Sequence, residues 1–407
     1  MKRNPAHHDR PRGVGLAYRH LIHDEILANR DGIDLLEIST EDHIVRERRM
    51  LADPDQALLR EAVGEFPSVA HGISLSLGTV ERPDPGYLDR TRTLLRDTGI
   101  EIFSEHMAFH AMDGADLTIF LAMPFEEESV AWVAEKYGAV RAALERPFAL
   151  ENVTYYFPVP RPSMGEADFF RRLTEETDCS LLLDVTNLFN NSHNHGFDPI
   201  AWLDRYPLDR VSQIHLAGGH RLEDGRWEDS HSAPVMEPVW ALFDEVLRRT
   251  RAEIVILERD SRFHPFERVR EDLERAREIF RRHRPDMPAR ERPNFNGTPP
   301  GGRGEMLALD PEAPGFRRLR GFQRSLMARI TSPEFREAFR ADPSAAMAGM
   351  GLADPDWQRR VAECDRRFMH QLGESWHAIE EQNRAAFSEY ERQEWAAWAE
   401  LAGAAEG

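Results

Sequence analysis

Eight short apolar runs, spaced through residues 13 to 260, end in a residue able to hold a metal ion or lead directly into one. His71 follows Ser68-Val69-Ala70, His106 follows the run that starts at Ile100, and Glu151 follows Phe148-Ala149-Leu150. Asp184 closes Leu181-Leu182-Leu183, His215 follows Ile214, and Glu258 closes Ile254-Val255-Ile256-Leu257. Between the last two lies Asp229-Ser230-His231, a D-x-H pair on one loop. That is more than one zinc takes, since such an ion is satisfied by four protein ligands at most. The set points to a cluster of two or three ions. A carboxylate can bridge two cations and a neutral imidazole cannot, so a multinuclear site needs several of each. Mixed nitrogen and oxygen ligation without thiolate suits iron, manganese or zinc. Cys179 and Cys364 precede none of these loops, which argues against iron–sulfur or cysteine–zinc sites.

Taken singly, each residue has a bland reading. A lone histidine at a strand end is more often a hydrogen-bonded structural residue than a ligand, and a lone carboxylate there is often a loop cap. Eight such residues at the same end of a barrel make the joint metal reading the better one. Asp229 and His231 are spaced to point the same way from an extended segment. Around them stand Asn152, Asn187, Asn194, His195, Glu37, Glu41 and His43, which could orient ligands or bind substrate. His110, His193, His220 and His264 read as surface residues. His7-His8 could grip metal but reads as part of a polar tail.

The elements that must position these residues alternate. Strands are expected at 13–18, 33–39, 69–77, 100–106, 148–153, 180–186, 211–216 and 253–258. Helices are expected between and after them at 20–30, 55–63, 87–97, 126–144, 166–176, 199–206, 235–249 and 265–283. Strand–helix alternation implies a parallel sheet, and eight repeats over this length are the size of a (β/α)₈ TIM barrel. In such barrels the chemistry sits where strands run into the following loops. An open doubly wound sheet is less favoured, because no strand leads into a glycine-rich phosphate loop. The expected organisation is an N-terminal tail at 1–12, a barrel at 13–284, a Pro/Gly-rich linker at 285–311 and an all-helical C-terminal domain at 312–407. In the last, Phe322, Leu326 and Ile330 recur at helical spacing, Thr331-Ser332-Pro333-Glu334 is a capping signature, and Asp342-Pro343-Ser344 opens a further helix that Gly351 ends. A Trp- and Glu-rich helix over 376–398 closes it.

Composition narrows the function. The chain has 407 residues, 41% of them hydrophobic, and a formal net charge of −19. That acidity argues against a nucleic-acid partner, and no apolar run is long enough to span a bilayer. Two distant cysteines and no signal-peptide pattern lead us to expect a cytoplasmic protein.

Several strings, in order, resemble those of the multinuclear non-haem iron-dependent oxidative enzymes, the TIM-barrel family of the methanobactin-biosynthesis oxidase. They are His71-Gly72-Ile73-Ser74-Leu75-Ser76-Leu77-Gly78, Ser104-Glu105-His106, Leu150-Glu151-Asn152, Leu183-Asp184-Val185-Thr186-Asn187, Asn194-His195-Gly196-Phe197-Asp198-Pro199, Gln213-Ile214-His215-Leu216-Ala217-Gly218, Asp229-Ser230-His231 and Leu257-Glu258-Arg259-Asp260. The resemblance spans roughly residues 13–284. It implies two or three iron ions in mixed Fe(II)/Fe(III) states, dioxygen as co-substrate, and a ribosomally made precursor peptide whose cysteine is often the residue changed. By resemblance His71, His106, Glu151, Asp184, His215, Asp229, His231 and Glu258 are iron ligands and catalytic residues. Asn187 and His195 are lesser candidates for a third metal or for substrate, with Asn152 and Arg259 as further substrate contacts. Arg259 departs from the tryptophan common at that point in the family, which bears on the pocket wall. Members commonly work with a separate protein that grips the peptide's leader, and the helical domain could be a fused stand-in. Two rivals remain: a zinc or manganese hydrolase or isomerase of the endonuclease IV and sugar-isomerase type, and a non-enzymatic metal-buffering or scaffolding protein.

Overall fold

The computed structural model describes residues 11–44, 53–285 and 312–381. The tail carrying His7-His8, nearly all of the expected linker and residues 382–398 of the expected 376–398 helix lie outside the described residues. Eight parallel strands close into a barrel: β1 Gly13–Ala17, β2 Leu36–Ser39, β3 Ser68–Gly72, β4 Phe103–His106, β5 Ala149–Glu151, β6 Ser180–Asp184, β7 Val211–Ala217 and β8 Ile254–Glu258. Each pairs with its successor in sequence, and β8 returns to β1 with Gly13 opposite Ile254. The strands read as unbroken apolar runs because both faces are covered, one by the barrel interior and one by helices. Leu181, Leu182 and Leu183 are all fully buried. Ala17, Leu35, Val69, Ile254 and Ile256 form a core cluster.

The intervening helices are set by local signals. Asp84 caps Pro85–Thr98 by accepting from Gly86 N at 3.0 Å and Tyr87 N at 2.9 Å, with proline in the first turn. Asp198 does the same for Pro199–Arg205.

The structure departs from expectation in three places. β3 stops at Gly72 rather than continuing to Leu77, because the Glu41 carboxylate captures the next two amides, Ile73 N at 2.9 Å and Ser74 N at 2.8 Å, and turns the chain. A hairpin of Phe109–Met112 and Ala115–Leu121 follows β4 where only a connection was expected. Residues after β6 form a helix, Val185–His195, rather than a loop.

The chain divides into two compact units. The first holds the barrel; the second comprises Ala111–Thr118, Val159–Arg161 and everything from Glu312 on. In the second unit helices span Pro314–Thr331, Pro333–Ala341, Pro343–Gly349 and Pro355–Glu363, and residues 366–381 are also helical. Asp342 Oδ1 accepts from Ala345 N at 3.0 Å, so that expected cap forms; the helix before it is capped by Ser332, whose Oγ accepts from Phe335 N at 3.1 Å, and not by Thr331, whose Oγ1 donates to Met327 O at 3.0 Å in the preceding helix. Leu319, Phe322, Leu326, Ile330, Phe335 and Phe339 are buried. Arg324 meets Asp113 at 2.9 Å, and Trp376 Nε1 donates to Asp116 O at 3.0 Å. Among the described residues no helix is long and apolar enough to cross a membrane.

Candidate metal centre

Parallel register brings the strand-end residues side by side. His106 is opposite Glu151, and Asp184 is opposite His215. Their side chains converge at the C-terminal mouth of the barrel. His71, His106 and Glu151 present ligand atoms within 4.8 Å of one another, and so do Glu151, Asp184, His215 and Glu258. Glu151 belongs to both groups. Its Oε2 lies 3.1 Å from His71 Nε2 and 3.4 Å from His106 Nε2, while Oε1 lies 3.3 Å from His215 Nδ1. Glu258 Oε2 is 3.1 Å from His215 Nδ1 and 3.8 Å from His231 Nε2, which is itself 3.0 Å from Asp229 Oδ1.

The far nitrogen of each imidazole is held. His71 Nδ1 is 2.8 Å from Ser104 Oγ, and His106 Nδ1 donates to Gly72 O at 2.9 Å. His215 Nε2 donates to Glu37 Oε2 at 2.8 Å, and His231 Nδ1 to Asp260 Oδ2 at 2.9 Å. This network assigns the tautomers. In each ring the remaining nitrogen faces a carboxylate oxygen, an approach that needs a cation between the two atoms, a proton in the metal-free protein or a metal ion in its place. Glu151 Oε2, Asp184 Oδ2, His215 Nδ1, Asp229 Oδ1 and His231 Nε2 are buried without a hydrogen-bond partner among the described residues. Metal–ligand bonds of about 2.1 Å place neighbouring ligand atoms about 3.0–3.4 Å apart in octahedral or tetrahedral geometry, and the separations from 3.0 to 3.4 Å match. The residues therefore fit a metal. Glu151, Asp184, Asp229 and Glu258 bring four carboxyl groups into one buried mouth, so once metal displaces the protons held there a single dication would leave about two negative charges uncompensated.

Protonation follows the same geometry. Burial disfavours the charged form of His106, but Glu151 and Glu105 beside it raise its pKa to about 9. His215 and His231 are likewise raised against burial, His215 by Glu258, Glu37 and Glu151, His231 by Asp229 and Glu258. Burial alone would raise Glu151, yet His106, His215 and His71 hold it well below the usual carboxylate range. Asp184 is pushed up by burial and then by Asp229, Glu151 and Glu258.

Two details of backbone build the mouth. Gly72 admits Glu105, whose Oε2 would lie 2.4 Å from a Cβ there. His231 sits at φ 48°, in the left-handed region, so it meets Asp229 through a turn rather than along an extended segment.

The asparagines have another use. Asn152 Nδ2 donates to Asp184 O at 3.0 Å and its Oδ1 accepts from Asp184 N at 2.9 Å, tying β5 to β6. Asn187 Nδ2 donates to Asn152 O at 3.1 Å and Oδ1 accepts from Thr154 Oγ1, while its backbone N–H is capped by Asp184 Oδ1 at 2.7 Å. Asn194 pins Trp227 through both backbone groups, at 3.0 and 2.7 Å. His195 stacks on Tyr155 and points Nε2 at Tyr155 O at 2.9 Å; it is not in either ligand group. Arg259 is buried, pairs with Asp272 at 3.1 Å and lines a separate cavity. His43 is buried beside Tyr18. His110, expected at the surface, is buried edge-on to Phe120; His193, His220 and His264 are exposed. Sequence reasoning missed Ser104, Glu105 and Asp260 as supports. The available signal was adjacency, because each lies one or two residues from a strand-end ligand.

Fold and site together define a parallel barrel whose mouth gathers two overlapping groups of residues that could hold a metal ion. The chain belongs to the RiPP precursor modification enzyme family MbnB/TglH/ChrH, whose sequence profile matches residues 13–281. Members of this family are enzymes that modify ribosomally synthesised precursor peptides. Among its relatives, a UPF0276 protein of Nitrosospira multiformis is 36% identical over 208 residues, covering 51% of this chain and 73% of its own. A UPF0276 protein of Pseudomonas aeruginosa is 35% identical over 272 residues, covering 66% of this chain and 93% of its own. Of the solved structures, a D-psicose 3-epimerase from Clostridium cellulolyticum H10, determined with D-tagatose, aligns with TM-score 0.44 and 12% identity, covering 66% of this chain and 99% of its own.

Proposed function

We propose that this chain binds two or three iron ions at the barrel mouth and, with dioxygen, oxidatively modifies a cysteine of a ribosomally made precursor peptide. The observation that carries the metal reading is the set of four tethered imidazoles whose inner nitrogens face carboxylate oxygens, with five buried ligand-type atoms that have no hydrogen-bond partner among the described residues. Family membership supports the peptide. His71, His106 and Glu151 would hold one ion, and Glu151, Asp184, His215 and Glu258 another, with Glu151 shared. Asp229 and His231 complete the donor set beside Glu258. Bound iron with dioxygen supplies one-electron oxidation of the carbon next to sulfur.

The chain's own residues do the rest. Glu37, Asp260, Ser104 and the Gly72 carbonyl keep each imidazole in the tautomer that offers its lone pair inward. Phe120 stacks on His106 at 4.3 Å and covers one side of the mouth from water. The helical unit would grip the leader of the peptide.

The test is metal analysis of protein from iron-replete cells, followed by incubation with a cysteine-containing precursor peptide with and without dioxygen. We expect two or three irons per chain and a mass change that needs oxygen. Zinc in their place with phosphodiesterase or isomerase activity, or product formed without oxygen, would overturn the reading.

A further inference from the structure

Outside the metal centre, the strongest concentration of unused chemistry is a cavity of about 490 Å³ behind β8. Arg259, Arg262, His264 and Arg268 line it together with Pro234 and Phe263. In a chain of net charge −19, three guanidinium groups around one cavity are out of character. Among the described residues one carboxylate answers them directly: Asp272, 3.1 Å from Arg259. His264 is turned toward Glu25 at 3.7 Å. Among the described residues the side chains of Arg262 and Arg268 have no hydrogen-bond or ion-pair partner. Arg259 is only 2% exposed, yet its Nε is without a partner.

The cavity is assembled by the same backbone that presents the ligands. Arg259 follows Glu258, and Ser232, on the opposite wall, follows His231. Gly218 lets that wall approach, since a Cβ there would lie 1.9 Å from Ala233 O. Arg262 is held at φ 53°, a region a non-glycine residue enters only when its surroundings force it. The helix Glu267–His283 starts at the cavity with no side-chain cap on its first amides, adding positive potential.

We propose that this cavity is a subsite for a carboxylate of the precursor peptide, an acidic side chain close in sequence to the modified residue. A guanidinium whose Nε lacks a partner beside two free arginines matches a planar two-oxygen anion. Its position one residue behind Glu258 and His231 would anchor the peptide next to the metals. The assignment rests on the peptide-modifying function proposed above.

The test uses the full-length protein without added metal and a fluorescein-labelled peptide of Gly, Ser and Glu, compared with its Gln counterpart and with inorganic phosphate as competitor. Binding is read by fluorescence anisotropy. We expect the Glu peptide to bind at least about tenfold more tightly than the Gln peptide. We also expect that preference to vanish in the Arg262→Ala/Arg268→Ala variant, whose two changes are at exposed positions and whose folding is checked by thermal melting. Equal binding of the two peptides, a preference unchanged in the double variant, or phosphate binding tighter than the Glu peptide would overturn the assignment. The readout needs neither iron nor turnover, so its failure leaves the metal reading standing. A protein that took up no iron would in turn leave this binding result as measured.

Discussion

Glu151 and Asn152 are consecutive, and Asp184 and Asn187 are one helical turn apart, yet the carboxylates and the amides are used in opposite ways. Every polar atom of the Asn152 and Asn187 side chains that could be spent on a neighbour is spent: on the Asp184 backbone, on Asn152 O and by Thr154. The carboxylates keep oxygens in reserve, and Glu151 Oε2 and Asp184 Oδ2 have no hydrogen-bond partner. A buried polar atom is normally satisfied, and one left without a partner costs about 1–3 kcal/mol. The amides therefore form a buttress that fixes the strand ends. The carboxylates form a cradle whose unmet cost a metal ion would offset.

Substitutions should separate cradle from buttress. The largest effect is expected for Glu151→Gln, which removes the shared ligand. Iron content should fall, and peptide modification should drop by more than the roughly 100-fold that loss of a supporting residue can cost. An unchanged metal content by mass spectrometry would merge the two regions. Glu37→Ala frees the outer nitrogen of His215 and should weaken metal binding by about 10–100-fold in a chelator competition. Retained affinity would show that Glu37 does not orient that ring.

Protons compete with metal in the cradle alone. The pKa of His106 is raised to about 9, and those of His215 and His231 are also raised well above the usual histidine range by the carboxylates beside them. Metal must displace those protons, so affinity should rise with pH between 6 and 8 by about tenfold per unit for each proton released. A flat profile would contradict the arrangement. In the buttress, Asn187→Ala should lower the stability of the metal-free protein by about 1–3 kcal/mol in denaturant unfolding, while the metal content of the loaded protein, read by mass spectrometry, stays unchanged.

The smallest effect concerns Glu166, a buried carboxyl with no imidazole beside it, which burial raises to about 8. Folding there favours the protonated form. The folded state holds more protons than the unfolded state between about pH 4.5 and 8, so stability falls as pH rises through that window. Glu166→Gln should flatten that part of the pH–stability curve. An unaltered slope would mean that Glu166 is not the group responsible.

Much of this was legible in the sequence. Parallel strands buried on both faces read as apolar runs, and a ligand at the end of such a run is conspicuous, as with Glu151, Asp184 and Glu258. The barrel expectation was right for that reason. The helix Val185–His195 was not legible: Val-Thr-Asn-Leu-Phe-Asn-Asn-Ser-His-Asn-His is poor in strong helix formers, and it is held by the Asp184 cap and by Thr186 Oγ1, which bonds both Ala217 O and Ala217 N. Asn187 and His195 therefore looked like loop residues free to bind metal or substrate. Glu37 was expected as a residue that could orient a ligand, but its partner was hidden for a different reason: Glu37 and His215 are 178 residues apart and meet only because β2 and β7 share one barrel. Asp260 lies just past the strand, where a carboxylate is usually a surface residue.

Side chains from β3 to β8 are proposed to hold several metal ions at one mouth. Anomalous diffraction at the iron edge, from crystals of protein produced in iron-replete cells, tests it most directly. We predict at least two peaks, one among His71, His106 and Glu151 and one among Glu151, Asp184, His215 and Glu258. Density for no metal there, or for a single ion that leaves Glu151 unbridged, would contradict it.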